Sequence, residues 1–484
     1  MILKSKKWLT VVFFGVALFF SCYQLTEAPG VWYDEGFYFQ TAANLADHGI
    51  AGMQFAPDTI EKIPRLTVGY PLIYPLALWF KIFGVDILAG RSLMVIMIMG
   101  FLFASYIFAK KLFGPTMAVG TLALLSTLPT IYGNGKSILG EVPGLLYMVV
   151  FFLCFNLALS ADTRRKFWMI MAGVFAGLCV VTKPIFLVLI PAIAVGLFVV
   201  IRRRNLCLSD VVMGVVAGII PILVWFMVQF GPGATFHSIL AYYANPSDVV
   251  DITNTMLKNI ISLFSDVSTL YLSIVTLIWI AAVWVRVKEK KQIRPEEVIA
   301  LTFTLLIIAA FTRTAGWYRY LFEAQVVSLI FLPNALVVVI QKISELKVLS
   351  RPAIMKIMKL AVPTVITVLV ILGAYQTLFH SWVAQAYGTH KTAFWEEYFS
   401  ALPMSTSVFF YDTPEVALFD KSSNYYQYLQ PAGGDIGGKE LVAIDKGLPD
   451  LIVMKAAAWH KQFPLYISEK DVYKYTILRK IKGT

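Results

Sequence analysis

Long apolar runs alternate with short polar connections along the first 380 residues, and this alternation predicts a bundle of membrane-spanning helices. Several runs are shorter than the ~20 residues of an upright span, but their order and spacing are regular. Eleven spans are predicted, at residues 8–24, 92–113, 116–132, 142–160, 167–182, 185–201, 211–230, 269–285, 298–312, 320–340 and 359–379.

Basic residues mark one side of the predicted membrane domain. Lys and Arg cluster at residues 4–7, 110–111, 164–166, 202–204, 286–294 and 342–359, in alternate connections. By the positive-inside rule that side is cytoplasmic, so the N-terminus lies inside and the C-terminus outside. Residues 70–83 are also apolar, but they are short and contain two prolines, and we expect them to form a helix at the outer interface.

The chain changes character from residue 380 onward. A helix is predicted at residues 391–402 and strands at 407–411, 451–455 and 473–478, with turn signals at 431–434 and 437–438. The prediction is an all-α polytopic membrane domain over residues 1–379, with a catalytic first outer loop at 25–91. A small extracytoplasmic α/β domain follows over residues 380–484.

Composition supports a multi-pass plasma-membrane protein and excludes other classes. The 484 residues are 58% hydrophobic and only 14% charged, with a mean hydropathy of +0.72, whereas soluble domains are about a quarter charged. The net charge of +12 follows from the basic connections, so no nucleic acid partner is implied. The four cysteines form no CxxC pair or disulfide framework. A retained signal anchor fits the N-terminus better than a cleaved signal.

The segment VWYDEGFY, residues 31–38, carries the strongest chemical signal. Its adjacent acids Asp34 and Glu35 lie at the outer membrane edge, where carboxylates are costly and usually functional. The predicted topology brings Glu141, Lys183 and Arg319 to the same face. A carboxylate there can take a proton from a hydroxyl acceptor, and cations can stabilise a departing phosphate.

Each candidate also has a purely structural interpretation. Lys183 and Arg91 can snorkel at helix ends, and Arg319 can bind lipid headgroups. Glu141 can favour a helix start, and Asp34 can cap a helix. Asp34 is the hardest to explain in this way.

The chain resembles a known family in several segments, namely WYDEGFYFQTAANLADHG, GYPLIYPLALWFKIFG, LGEVPGLLYMVVFFL, GLCVVTKPIFLVLIP and YRYLFEAQVVSLIFLP. It is similar to the bacterial and archaeal relatives of the protein O-mannosyltransferases and the lipid A aminoarabinose transferases. These form the glycosyltransferase family 39 group of the C-type superfamily. The resemblance covers about residues 1 to 340 and implies an inverting membrane glycosyltransferase that uses a polyprenyl-phosphate sugar.

The resemblance also implies roles for individual residues. Asp34 matches the acid assigned as catalytic base or its partner, and Glu35 is its neighbour in the motif. Glu141 matches a second acid that positions the acceptor or a metal. Lys183 and Arg319 match donor-phosphate residues. The aminoarabinose enzymes have a lysine before proline where this chain has Tyr70, so Arg65 is a further candidate for the phosphate, alongside Tyr70 and Tyr74.

Two other functions remain open at this point. A transporter or flippase of lipid-linked sugars is the main alternative, but transporters favour charges at mid-membrane and paired repeats, which this chain lacks. A non-catalytic scaffold is the other alternative, but it does not explain why acids lie at the outer membrane edge. A divalent cation, Mg²⁺ or Mn²⁺, is possible at Asp34 and Glu141 but has no clear signature. The expected partners are a polyprenyl-phosphate sugar, membrane lipid, and a glycan, lipid or protein acceptor.

Overall fold

A computed structural model of the protein describes residues 2–63, 66–160, 163–203, 206–229, 251–345, 352–429, 449–456, 463 and 465–481. Within these residues, eight helices are long and apolar enough to cross a membrane, or nine when one bent pair counts as a single span. The bent pair consists of Pro115–Ser126 and Pro129–Lys136, whose axes differ by 62°.

Every predicted span overlaps a helix, so the prediction of a polytopic helical fold is confirmed. Of the eleven predicted spans, those at residues 8–24 and 298–312 fall on helices whose described apolar stretches are too short to count as candidate spans. The spans correspond to α1 (Ile2–Cys22), α4 (Ile87–Phe113), α5 and α6 (Pro115–Ser126 and Pro129–Lys136), α7 (Glu141–Ser160), α8 (Arg165–Thr182), α9 (Leu189–Arg202), α10 (Leu208–Gln229), α12 (Val267–Lys288), α13 (Pro295–Phe311), α14 (Phe322–Ser344) and α15 (Pro352–Tyr375). Short 3₁₀ turns, Pro184–Val188 and Tyr318–Leu321, precede α9 and α14. Helix α11 (Ile252–Ser265) was not predicted.

Glycines allow α8 and α10 to pack with their backbones in contact. A Cβ atom on Gly173 would lie 1.9 Å from the carbonyl oxygen of Gly214, and one on Gly177 would lie 2.3 Å from that of Gly218. Small residues at such positions let membrane helices approach closely. This packing fixes the end of α8, which leads into Lys183.

The segment between α1 and α4 is an ordered layer rather than a simple loop. It contains α2 (Tyr33–His48), a hairpin of β1 (Gly52–Ala56) with antiparallel β2 (Thr59–Lys62), and α3 (Tyr70–Phe83). Helix α3 is the predicted apolar helix, whereas the hairpin was not predicted. The layer lies at the end of the bundle where α7 and α14 begin, which we call the α2 end.

The C-terminal region is the predicted small α/β unit. Helix α16 (Lys391–Ser400) precedes a five-stranded sheet of order β4-β3-β5-β7-β6, in which β4, β3 and β5 are parallel and β7 is antiparallel to β5 and β6. The strands are β3 (Val408–Tyr411), β4 (Tyr425–Tyr428), β5 (Leu451–Lys455), β6 (Tyr466–Val472) and β7 (Tyr475–Lys480), and α17 (Pro414–Ala417) follows β3. Strands β4 and β6 were not predicted, and the predicted turns at 431–434 and 437–438 lie outside the described residues.

The C-terminal sheet packs directly on α2. Buried side chains of α2, α3, the start of α4 and the sheet form one apolar cluster, which includes Phe39, Phe80 and Phe410. A Cβ atom on Gly36 would lie 2.4 Å from the carbonyl carbon of Pro414, so α2 and α17 touch backbone to backbone. Helix α2 is therefore held between the bundle and the C-terminal sheet.

Candidate active site

The acids Asp34 and Glu35 occupy the first turn of α2 and point in different directions. Successive residues of a helix are rotated by about 100°, so two adjacent carboxylates cannot share one environment. The Glu35 side chain is fully buried, whereas that of Asp34 is 32% exposed. The acidic pair thus divides into an inward and an outward member.

Glu35 is fully engaged by the protein. Arg91 donates to it from Nε to Oε1 at 2.9 Å and from Nη2 to Oε2 at 2.8 Å. The backbone N–H groups of Ile138 and Trp32 donate to the same two oxygens at 3.1 Å and 3.3 Å. A carboxylate with both oxygens committed in this way is suited to holding α2 in place.

Arg91 extends this clamp to the end of α1. Its Nη1 donates to the carbonyl oxygens of Leu25 at 2.9 Å, Thr26 at 3.1 Å and Pro29 at 2.8 Å. Arg91 is fully buried, so the alternative that it snorkels toward water is wrong. One residue of α4 therefore fixes both the chain leaving α1 and the start of α2.

Asp34 is paired with Arg319, from the 3₁₀ turn before α14. Nη2 of Arg319 donates to Oδ2 of Asp34 at 2.7 Å, and the arginine side chain is 16% exposed. The guanidinium lies 5.2–5.8 Å from the ring centres of Trp32, Trp317 and Tyr320. Aromatic faces attract a guanidinium and restrict its orientation. Arg319 is therefore a fixed cation beside a partly exposed acid.

A second ion pair joins Glu141 and Lys183. Nζ of Lys183 donates to Oε1 of Glu141, and both side chains are largely buried, at 13% and 4% exposed. Glu141 begins α7, and Lys183 directly follows α8. A Cβ atom on Gly140 would lie 3.1 Å from the carbonyl oxygen of Thr182, so the two helix ends are in close approach.

The two ion pairs lie within electrostatic range of one another. The carboxylate of Glu141 interacts electrostatically with the guanidinium of Arg319, although Glu141 is hydrogen-bonded to Lys183. The phenol of Tyr38, on α2, shares a hydrogen bond with the hydroxyl of Thr67. Burial, with the nearby Asp34 and Glu141 charges, holds the pKa of Tyr38 well above its usual range. Two acids and two cations are therefore gathered at the α2 end of the bundle.

The tyrosines of α3 lie beside this cluster. Gly69 donates to the carbonyl oxygen of Thr182 at 3.1 Å, which places the start of α3 against the residue before Lys183. Tyr70 is the first residue of α3, and its ring centre is 6.3 Å from that of Tyr74, which is 43% exposed. Arg65 lies outside the described residues.

The donor set does not favour a divalent cation. Among the residues that the structure describes, no three His, Cys, Asp or Glu side chains lie together in a way that could hold a metal. The two candidate ligands each hold a cation of the chain, Arg319 on Asp34 and Lys183 on Glu141. A metal at either acid would have to share the carboxylate with that cation.

The chain is similar to known proteins in part of its sequence and in its fold. A family model described as dolichyl-phosphate-mannose-protein mannosyltransferase matches residues 71–228. ArnT from Cupriavidus metallidurans, in the apo state, superposes with a TM-score of 0.66 at 14% identity, over 99% of this chain and 98% of ArnT. ArnT bound to undecaprenyl phosphate gives 0.63 at 14% identity, over 98% of each chain.

A third structure extends the comparison. The archaeal oligosaccharyltransferase AglB from Archaeoglobus fulgidus, in complex with an inhibitory peptide and a dolichol-phosphate, superposes with a TM-score of 0.57 at 13% identity. The match covers 93% of this chain and 69% of AglB. No curated protein matches the sequence.

The family model and the superposition on ArnT over nearly the whole chain agree. The chain has the fold of the C-type glycosyltransferases ArnT and AglB, and its residues 71–228 match the mannosyltransferase family model. The resemblance seen in the sequence is thereby confirmed, and the general kind, a membrane glycosyltransferase, is supported.

Sequence reasoning missed two features of this site. Glu323 is buried on α14 beside the Glu141–Lys183 pair; its signal was an acid in an otherwise apolar span, four residues after Arg319. The second is a contact from the C-terminal sheet. Asp412 accepts a hydrogen bond from the hydroxyl of Tyr33 and another from Lys455 Nζ at 2.9 Å. No sequence motif marked this contact.

Proposed function

We propose that the protein is an inverting glycosyltransferase that moves a sugar from a polyprenyl-phosphate donor to a hydroxyl acceptor at the extracytoplasmic membrane face. One observation carries the proposal: a partly exposed acid, Asp34, is held by Arg319 within electrostatic range of Glu141, which is bonded to Lys183. The site combines a base with cations suited to a phosphate.

The reaction is a single displacement at the anomeric carbon. The acceptor oxygen attacks C1 as the bond from C1 to the phosphate oxygen breaks, and Asp34 takes the acceptor's proton. General-base assistance of this kind is typically worth ~10²–10⁴-fold. The leaving group is polyprenyl phosphate, and attack from the opposite face inverts the configuration at C1.

Arg319 and Lys183 are assigned to the donor phosphate. Arginine suits this role because its planar fork matches phosphate oxygens, and lysine adds a compact positive charge. In the structure each cation is bonded to an acid, so the incoming phosphate competes with Asp34 for Arg319. Tyr70 and Tyr74, at the start of α3, are proposed to contact the phosphate from the lipid side.

The remaining acids are given supporting roles. Glu141 holds Lys183 toward the donor, and Glu35, clamped by Arg91, sets the position of α2 and hence of Asp34. Residues that fix the reacting groups contribute to rate through orientation.

The distribution of charge supports the extracytoplasmic face. At the opposite end of the bundle, where α12 and α14 end, Lys342 bonds to Glu289 at 2.9 Å and Arg286 bonds to Glu297. That end also carries the basic connections, which are typical of the cytoplasmic side. The solved structures of ArnT with undecaprenyl phosphate and AglB with dolichol-phosphate further support a lipid-phosphate donor.

The test is reconstitution of the full chain in liposomes that contain undecaprenyl-phosphate-linked radiolabelled sugars and a membrane extract as acceptor source. The proposal expects sugar to move to a new product with inverted anomeric configuration. Movement of intact lipid-linked sugar between leaflets without a new glycosidic bond would instead indicate a flippase, the transporter alternative.

A further inference from the structure

Glu323 is a buried acid whose carboxylate has no hydrogen-bond partner among the other residues that the structure describes. Its side chain is 1% exposed, and neither oxygen accepts a hydrogen bond from another described residue. A buried polar group without a partner is costly, and in native proteins such groups usually await a ligand or serve chemistry. The position of Glu323 in the first turn of α14 offsets only part of that cost through the helix dipole.

The surroundings of Glu323 belong to the candidate active site. Glu323 follows Arg319 by four residues and lies within electrostatic range of Arg319, Lys183 and Glu141. Glu141 also has one unpartnered buried oxygen, Oε2, because only Oε1 is bonded to Lys183. Three acceptor oxygens on two acids therefore have no hydrogen-bond partner among the described residues, and both acids interact electrostatically with Lys183.

The chemistry of these oxygens selects the ligand. An ionised carboxylate accepts hydrogen bonds and donates none, so the partner of these oxygens must supply hydrogen-bond donors. The donor set includes too few ligands for a metal ion, and Lys183 already contributes a positive charge. A sugar attached to a phosphate on Arg319 and Lys183 would present hydroxyl or ammonium groups within one ring's length of that phosphate.

We propose that Glu323, with the free oxygen of Glu141, forms the subsite for the donor sugar and accepts hydrogen bonds from its hydroxyl or ammonium groups. The inference rests on the proposed function, because it assumes a lipid-linked sugar donor. The subsite favours neutral and amino sugars and disfavours hexuronic acids, whose carboxylate would be placed against two others.

The experiment compares two lipids on the purified full chain. Undecaprenyl phosphate tests the phosphate contacts alone, and undecaprenyl-phosphate-linked sugars (a neutral hexose, an amino pentose and a hexuronic acid) add the sugar. Glu323→Gln should leave the affinity for undecaprenyl phosphate unchanged. It should lower the affinity for the preferred sugar-bearing lipid about tenfold or more, because hydrogen bonds to a charged group are lost. The wild-type protein should bind the hexuronic lipid least well.

Glu296→Gln is the matched control. Glu296 is equally buried at the start of α13, at the opposite end of the bundle, and accepts a hydrogen bond from Asn156 at 2.7 Å. This variant should bind both lipids as the wild type does. If Glu323→Gln does not fold, Glu323→Asp keeps the charge and should show a smaller loss confined to the sugar-bearing lipid.

The outcomes separate this inference from the proposed function. Equal binding of the sugar-bearing lipid by wild type and Glu323 variants, or an equal loss for both lipids, overturns the sugar subsite. The proposed function fails on a different result, namely that the wild-type protein transfers none of the sugars to any acceptor.

Discussion

Asp34 and Arg319 share a hydrogen bond of 2.7 Å although 285 positions separate them in the sequence. The bond joins the first turn of α2 to the turn before α14. It places an acid and a cation at the same end of the bundle, which is the arrangement that the proposed transfer from a lipid phosphate requires. Its two members are assigned different tasks, proton acceptance by Asp34 and phosphate binding by Arg319.

Replacing Arg319 by lysine tests the phosphate assignment. Lysine retains the charge but loses the planar fork and the fit among three aromatic rings. We expect Arg319→Lys to raise the KM for the lipid-linked donor about tenfold, and Arg319→Met to raise it further. Steady-state kinetics in proteoliposomes measures the change. Arg479→Lys, which alters a pair with Glu469 on the C-terminal sheet, should leave KM unchanged.

Replacing Glu35 by glutamine tests the structural clamp. Removing the charge of Glu35 leaves the buried charge of Arg91 without its counter-ion, which typically costs about 3–5 kcal/mol of stability. We expect a clearly lower thermal unfolding temperature for Glu35→Gln. Asp34→Asn, one residue away, should unfold at nearly the wild-type temperature, because Asp34 is partly exposed. Equal stability of the two variants would contradict the division of roles.

The contact between Tyr33 and Asp412 is expected to couple α2 to the C-terminal sheet. Tyr33→Phe and Asp412→Asn should each lower the free energy of unfolding, and the double variant should lose less than the sum of the two. A coupling of about 2 kcal/mol is expected for a hydrogen bond to a charged group. Thermal denaturation of the four proteins gives the coupling. Strict additivity would show that the two residues act independently.

Chelation tests the metal alternative. Because Asp34 and Glu141 each hold a cation of the chain, we expect EDTA to leave sugar transfer unchanged. The measurement is initial transfer rate before and after EDTA treatment. A loss that Mg²⁺ or Mn²⁺ restores would mean that an ion binds Asp34 or Glu141 during turnover.

That the site residues meet at one end of the bundle could be predicted, and their pairing could not. Alternating basic connections were enough to bring Asp34, Lys183 and Arg319 to one face, because each lies at a helix end whose side follows from the count of spans. The partners depend on helix packing. Arg91 looked like a snorkelling residue from the sequence, and only the fold shows that it clamps Glu35.

Short elements and tertiary contacts were the other misses. Strands β4 and β6 were not recognised, because a short strand such as β4 carries little periodic signal and both are stabilised by neighbours. The hairpin of β1 and β2 was not predicted, because its residues lie in a segment that was assigned to a loop. Glu323 lacked any motif, and its burial beside Lys183 follows from the packing of α14 against the other helices at the α2 end.

The most direct measurement is the transfer rate of Asp34→Asn in proteoliposomes, beside wild type and Glu61→Gln, an exposed acid on β2. The account predicts a fall of at least about 10²-fold for Asp34→Asn. Folding and undecaprenyl phosphate binding should be retained, with no change for Glu61→Gln. Wild-type transfer by folded Asp34→Asn protein would contradict the assignment of Asp34 as the base.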